Sequence, residues 1–440
     1  MSTDRGPTSM FVESFRASAP YIQAHRGRTF VVVAGGEALQ GQGLPGLVQD
    51  IALLHALGVR VVLVAGARPQ IDQRLRRRNR KPRYHDGLRI TDDAALECVK
   101  EATGAVRLDL ESRFSVGLRN TPGSGERIRV AAGNFVTARP VGVLDGVDYQ
   151  HTGEVRRVDA EGIRQRLDAG AIVLLTPLGY SGTGDLFNVS SHDMAATTAL
   201  ALGADKLVAI VDGKGLTDGK RRPIHEVTPG EALELADRKR VPDDVRRHLR
   251  AAARVVTGGV RRAHLVSRLI DGGLLLELFT RDGVGTLVSE DPFEGVRPAT
   301  FDDVGGVLEL IEPLERDGQL VRRPREMLEM DINRFVVIER DGMVVACAAL
   351  YPYPDEGVGE LACVAVHSDY RQAGRGDVLL QWVEKRCAEL GLDRLFVLTT
   401  QATQWFRERG FTAAKLRDLP EARRALYDRG RRSKILLKHL

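Results

Sequence analysis

Cysteine is scarce in this chain: four in 440 residues, Cys98, Cys347, Cys363 and Cys387, with no C-x-x-C pair. That excludes a disulfide scaffold and a zinc knuckle, fits reduced thiols in a reducing compartment, and leaves no metal expected. Long apolar runs are missing too. The strongest, Phe30–Ala34 and Ala171–Leu175, fall far short of the ~20 residues a bilayer span needs. The first ten residues, MSTDRGPTSM, carry an early acid and a proline and no apolar stretch, so a cytoplasmic location is expected and a secretory signal is not. Aromatics make up only 5%, and neither charge sign dominates: 64 Lys+Arg stand against 59 Asp+Glu, a net +5. One basic run, Arg74–Arg83, has only Tyr84 nearby to stack on a base, so it reads as a solvated or phosphate-facing loop. Neither nucleic acid nor a membrane is an expected partner.

What is present is a globular composition, 43% hydrophobic and 28% charged with 46 glycines, in a chain long enough for about two or three domains. Nearly continuous apolar runs at Thr29–Val33, Val59–Ala65, Ile128–Ala132, Ala171–Thr176 and Leu207–Val211 predict strands buried on both faces. They alternate with helical patterns over Leu47–Leu57, Asp92–Gly117, Ala160–Ala169 and Asp193–Leu202, and βαβα order means a mostly parallel sheet covered on both faces. Ahead of them, Phe11, Phe15, Ala19 and Ile22 mark an amphipathic helix that Pro20 should kink. Acids, prolines and glycines from Ser289 to Pro298 predict a linker. The domains are therefore expected at 1–288 and 299–440. The second pattern runs helix (Asp302–Arg316), helix (Arg325–Asn333), strands (Phe335–Glu339, Val344–Tyr351, Gly359–His367), helix (Asp377–Glu389), strand (Arg394–Thr399), then a last helix and strand.

The sharpest local signal lies at Gly359–Gly391, where a strand runs into R-x-x-G-x-G (Arg371, Gln372, Ala373, Gly374, Arg375, Gly376) and a helix follows at once. Two glycines permit a tight loop whose N–H groups face an anion, and the helix N-terminus adds positive potential, which suits a pyrophosphate. Arg371 and Arg375 can add contacts to a further phosphate. The same pattern also suits a packed turn that binds nothing. Together with the Trp405–Phe411 block, WFRERGF, the segment resembles the GCN5-related N-acetyltransferase family. The resemblance implies acetyl-CoA as cosubstrate, with no bound cofactor, and a splayed strand at Cys363, Val364, Ala365 and Val366 that offers backbone groups to the pantetheine arm.

Acetyl transfer to an amine needs a neutral nitrogen, a polarised thioester carbonyl and a protonated leaving thiolate. Glu360, at the start of the strand, is the candidate base, directly or through water, although a strand-end surface carboxylate would read the same. Backbone N–H groups near Cys363 and Val364 suit the carbonyl. The tyrosine acid usual in that family is not evident, and Thr399 or Thr400 is the nearest hydroxyl. Basic pairs Arg322–Arg323 and Arg431–Arg432, with Ser433, suit an anionic acceptor.

The first two thirds, through VVVAGGEAL and VAIVDGKGLTDG, resemble the amino-acid kinase family. Where those kinases carry a lysine before paired glycines, this chain has Val33 before Gly35 and Gly36; its second loop, AGARPQ, carries Arg68; and no lysine stands between Lys239 and Lys385. Asp193 survives from the kinase pattern. The fold implied is a three-layer α/β sandwich that has lost phosphoryl transfer. FVESFRASAPYIQAHRGRTFVV, GGVRRAHLVS and LLLELFTRDGVGT resemble the arginine-sensitive kinases of this group, which implies an arginine site of Tyr21, His264, Glu277 and Gly283. Both halves in this order resemble the bacterial N-acetylglutamate synthases. That implies glutamate held by Arg323, Cys363, Arg431 and Ser433, Glu360 as base, Thr399 assisting the thiolate, inhibition by L-arginine, and a ring-like homo-hexamer. A bifunctional synthase/kinase, and an arginine-sensing scaffold without transferase activity, are the competing readings.

Overall fold

The structure is a computed structural model that describes residues 7–117, 127–213, 215–218, 222–290, 294–371, 374–428 and 430–440. The chain forms two compact units, Met1–Asp291 and Pro292–Leu440. In the first, a sheet has the order Glu226–Val227, Thr286–Val288, Arg262–Ser267, Lys206–Val211, Thr29–Ala34, Arg60–Ala65, Ala171–Leu175, Arg129–Ala132. All neighbours are parallel except Arg262–Ser267 against Thr286–Val288. Alternation along the central strands sends Val31, Val33, Val62 and Val64 to one face and Phe30, Val32 and Leu63 to the other, and two cores follow from it. Helices Ser191–Leu202 and Asp243–Thr257 cover the first face; Leu44–Ala56 and Asp93–Phe114 cover the second. A small closed barrel of Val136–Pro140, Thr152–Val158, Leu178–Tyr180 and Leu186–Val189 is added beside the sheet.

The N-terminal helix, Pro7–His25, runs through Pro20 as one helix. The basic run is less loop-like than expected: Arg74–Arg77 close the helix Arg68–Arg77, and Arg78 and Arg80 pair with Glu101 and Asp92.

The second unit is one sheet in the order Glu294–Pro298, Phe335–Arg340, Met343–Tyr353, Val358–Val366, Arg394–Thr399, Lys434–His439, Thr412–Ala413. Half of the expected linker is therefore structure, since Glu294–Pro298 pairs antiparallel with Phe335–Arg340 as the edge strand. The only parallel neighbours in this sheet are Val358–Val366 and Arg394–Thr399. Helix Arg375–Glu389 buries Leu379, Leu380 and Val383 on one face, and helix Val304–Arg316 buries Val307 and Ile311 on the other. Among the described residues no helix is long and apolar enough to cross a membrane.

Candidate active site

The parallel strands of the second unit stay together for only three residue pairs, Val358 with Arg394, Gly359 with Leu395 and Glu360 with Phe396. Beyond Glu360 they part. On its other side the strand Val358–Val366 keeps its neighbour, but the register slips between Cys347 and Ala349, which face Ala365 and Ala362. The extra residue forms a β-bulge, and Cys363 takes φ +52°, a left-handed conformation that costs a side-chain-bearing residue about 1 kcal/mol or more. The Cys347 thiol donates to the Cys363 carbonyl at 3.6 Å inside this bend. The parting opens a cleft of about 380 Å³, lined by Cys363, Val364, Ala365 and Val366 on one wall and Val397–Ala402 on the other. Backbone groups on the open side of these strands have lost their ladder partners, which is what an extended pantetheine-like chain needs.

One end of the cleft is the start of helix Arg375–Glu389. Gly374, at φ +72°, is its N-cap, and a Cβ on Gly376 would stand 2.9 Å from Cζ2 of Trp405, which lines the cleft. Arg371 and Gly376 also line it, whereas Gln372 and Ala373 lie outside the described residues. Arg375 corrects the expectation of a phosphate contact. Its guanidinium is buried, donates to both oxygens of Glu294 at 2.7 and 2.6 Å and to the Tyr370 carbonyl at 2.8 Å, and therefore faces the edge strand. Only the backbone of Arg375 remains at the helix N-terminus.

Thr399 lines the opposite wall and accepts a hydrogen bond from the Ala402 N–H at 3.0 Å, an arrangement that leaves its own proton to donate. Glu360 sits at the point where the strands part, buried, and takes both Nε and Nη2 of Arg423 at 2.7 and 3.1 Å. Arg423 was not visible as a site residue in the sequence. It follows Pro420 in the short helix Glu421–Ala425, where nothing in spacing distinguishes it from Arg424. Burial pulls the Arg423 guanidinium down and Glu360 more than offsets this, so it stays charged. Arg323 lies within electrostatic reach of Cys363, Tyr351 and Glu360, and is half-buried. The Tyr351 hydroxyl donates to Asp331 at 3.1 Å, and burial, with Arg323 opposing, pushes it up to about 12. Arg431 is engaged away from the cleft wall, donating to the carbonyls of Gly318 and Gln319 at 3.2 and 2.5 Å, and the Ser433 backbone carbonyl accepts from the Tyr427 hydroxyl at 2.7 Å. Arg431 thereby anchors the turn whose Gln319 and Leu320 border the cleft. The structure thus brings Cys363, Val364, Ala365, Val366, Arg371, Gly376 and Thr399 to one cleft, with Glu360 and Arg323 beside Cys363 and without Arg431 or Ser433 on its wall.

In the first unit a second constellation gathers at the end of the sheet. His264 Nδ1 lies 2.7 Å from Glu277 Oε1, and the other Glu277 oxygen accepts the N–H groups of Val284 and Gly285 at 2.8 and 2.7 Å. Gly283, at φ +61°, stands so close that any Cβ would clash with that carboxylate. Lys206, which sequence reasoning missed, places Nζ 3.3 Å from His264 Nε2. Burial, then the Lys206 charge, push His264 below its ordinary value, while its bond to Glu277 and the two backbone N–H groups outweigh burial and hold Glu277 low. Tyr21 packs near: its helix docks on Gly273–Phe279 through His25, whose Nε2 is 2.8 Å from the Leu278 carbonyl. Tyr21, His264, and Glu277 with Gly283 therefore come from three stretches of sequence to one region of the unit.

The glycine loops of the first unit form a separate cleft of about 260 Å³ lined by Gly35, Gly36, Gly66, Arg68, His192, Asp244 and others. Arg68 lies over the Tyr84 ring at 4.2 Å, and the Gln70 amide donates to the Gly36 carbonyl at 2.7 Å. Side chains of the second loop thus lean on the first. Val33 is buried in its strand, and Asp193 is exposed, 3.9 Å from Arg254 and off the wall of this cleft. No lysine is among the described residues that line it.

Two family models match: the amino acid kinase family over residues 28–267 and the acetyltransferase (GNAT) family over residues 306–411. An amino-acid acetyltransferase of Pseudomonas putida is 53% identical over 431 residues, 98% of this chain and 99% of that one. The N-acetylglutamate synthase of Neisseria gonorrhoeae, solved with coenzyme A and L-arginine, is 37% identical with a TM-score of 0.88, covering 98% of this chain and 99% of its own. The same enzyme with coenzyme A and N-acetyl-glutamate gives 38% identity and a TM-score of 0.62 over the same shares. With a kinase-like α/β sandwich followed by an acetyltransferase domain, and relatives matched from end to end, the chain belongs to the amino-acid acetyltransferases.

Proposed function

We propose that this chain transfers the acetyl group of acetyl-CoA to the amino group of L-glutamate, releasing CoA and N-acetyl-L-glutamate, and that L-arginine inhibits it from the first unit. The reaction would open arginine biosynthesis. The observation that carries the reading is the parting of two parallel strands at Glu360 and Phe396, with a bulge at Cys363 and a glycine-capped helix at the end of the cleft. Acetyl-CoA would lie along the open strand, its pantetheine bonded to backbone groups of Cys363–Val366 and its pyrophosphate at the helix start beside Arg371, Gly374 and Gly376. N–H groups of the bulge would hold the thioester oxygen as charge develops on it.

Glu360 would accept a proton from the substrate ammonium, so that the neutral nitrogen attacks the carbonyl carbon. As the C–S bond breaks, the attacking nitrogen gives up its second proton and the thiolate gains one, with the Thr399 hydroxyl relaying a proton to sulfur and regaining one from the nitrogen. Arg423 and Arg323 suit the two substrate carboxylates, and the entry of a carboxylate would compete with Glu360 for Arg423, freeing the base when acceptor is present. Arginine would engage the Glu277, His264 and Gly283 constellation with Tyr21, which requires Glu277 to exchange one of its present partners for the guanidinium. Exposed Phe11 and Phe15, ring centroids 6.1 Å apart on the N-terminal helix, suit a contact with another subunit and so a homo-oligomer, a hexamer by resemblance. CoA thiol release measured with a panel of amino acids, with and without arginine, tests this. Turnover specific to L-glutamate that falls on adding arginine is expected; turnover with a different amine, or none, would overturn the substrate assignment.

A further inference from the structure

The cleft of the first unit contains a group of side chains that acetyl transfer does not use. His192 sits in the first turn of the helix Ser191–Leu202, held there by the Ser190 hydroxyl, which accepts the Asp193 N–H at 3.4 Å as the N-cap. Asp244 and His248 are one turn apart on the helix Asp243–Thr257, so both side chains project from one face. The two helices pack together against the sheet and bring the three groups into contact. His192 Nε2 lies 3.2 Å from Asp244 Oδ1, and His248 Nε2 lies 3.7 Å from the same oxygen. All three donor atoms fall within 4.8 Å of one another.

Two features separate this cluster from ordinary hydrogen bonding. First, His248 is 1% exposed and its Nε2 has no hydrogen-bond partner. An orphaned buried polar nitrogen is costly, about 1–3 kcal/mol, and it points at the other two donors. Second, the spacing fits coordination. Ligands 2.0–2.1 Å from a tetrahedral ion stand about 3.3 Å from each other, and the observed 3.2 and 3.7 Å bracket that value. The ligands are also oriented from behind: Asp244 Oδ2 accepts the Asp212 N–H at 3.3 Å, and His192 Nδ1 lies 3.5 Å from the Ser190 hydroxyl.

We infer that His192, Asp244 and His248 form a binding site for one divalent transition-metal ion. Two imidazole nitrogens and one carboxylate oxygen select zinc or a metal of similar softness over magnesium or calcium, whose sites are built of oxygen. Three protein ligands leave a fourth position open toward the cleft, which His192 and Asp244 line. The ion would pin the start of one helix to the first turns of the other.

The test uses the full-length protein, stripped of metal with a chelator. Titration with Co²⁺ alone should give the visible d–d absorption of a tetrahedral ion at one equivalent, and Zn²⁺ should displace it while raising the thermal midpoint of the chain. His192→Asn and Asp244→Asn should each weaken binding about hundredfold or more and remove the metal-dependent thermal shift. Their circular dichroism should match the parent, since neither residue is fully buried. Absence of a stoichiometric tetrahedral Co²⁺ spectrum, or binding retained within about threefold in both variants, overturns the assignment.

Discussion

Glu360→Gln separates a catalytic carboxylate from a structural one. In the resting chain both Glu360 oxygens are bonded to Arg423, at 2.7 and 3.1 Å, with side-chain exposures of 8% and 20%. Glutamine keeps one acceptor oxygen but turns an NH₂ toward the guanidinium, so one charge-assisted bond, about 1.5–3 kcal/mol, is lost and Arg423 is left half-paired. That cost falls on the folded state and on substrate binding alike, and it leaves kcat largely untouched. The chemical cost is different. Without a base, the ammonium of the acceptor must lose its proton to water, and general-base catalysis contributes roughly 10²–10⁴-fold. A hundredfold loss corresponds to about 2.7 kcal/mol of barrier. CoA release at saturating acetyl-CoA should therefore show kcat lower by about 10²-fold. A double-mutant cycle with Arg423→Gln should reveal coupling of about 0.5–3 kcal/mol, since the two side chains touch. A kcat within about threefold of the parent would refute the role of Glu360 and leave it a partner of Arg423 only.

Gly283→Ala forces a Cβ against the Glu277 carboxylate and into a left-handed conformation, so it should abolish arginine inhibition at unchanged basal rate; inhibition within twofold of the parent would show that the constellation does not read arginine. Gly376→Val should displace Trp405, 2.9 Å from the position of the added Cβ, and raise KM for acetyl-CoA by about tenfold, the equivalent of 1.4 kcal/mol; an equal rise in KM for glutamate would mean general damage. Asp50 supplies a pH test. Burial, and then Asp271, raise its carboxyl to about 6, so the folded chain keeps a proton that the unfolded chain releases near pH 4. The stability this gives is complete below about pH 4 and is lost as pH rises through 6, so Asp50→Asn should stabilise the chain at pH 7.5 by about 1 kcal/mol after allowance for solvent screening, and do nothing at pH 4. Equal denaturant midpoint shifts at both pH values would show that the carboxyl titrates normally.

The large sheet was legible because strands buried on both faces write themselves as unbroken apolar runs, as at Phe30–Ala34 and Ala171–Leu175. The small barrel was not. Its strands, such as Leu178–Tyr180 and Leu186–Val189, are only a few residues long and carry neither a long run nor clear alternation. At the cleft, several of the residues that line it, Cys363–Val366, Arg371 and Gly376, were picked out from the glycine spacing and the family likeness, whereas contacts made by long side chains were misread. Arg375 beside the glycines reads as a phosphate ligand, yet Glu294, some eighty positions earlier, turns it away. Arg423 and Lys206 were missed for the opposite reason: a charged residue gives no hint of its partner when that partner is distant in sequence. His192 and Asp244, 52 positions apart, are invisible to any ligand-spacing rule.

The bulge at Cys363 has a consequence for how this protein can change over time. A recognition surface made of main-chain groups is specified by the path of the chain and hardly at all by the side chains along it. Pressure therefore concentrates on what sustains the bend: the left-handed residue itself, the thiol of Cys347 behind it and the slip in register opposite. On the proposed reading, changes around Arg323 and Arg423 would alter acceptor preference without disturbing how the acetyl donor is held, and one backbone would serve a succession of amine substrates.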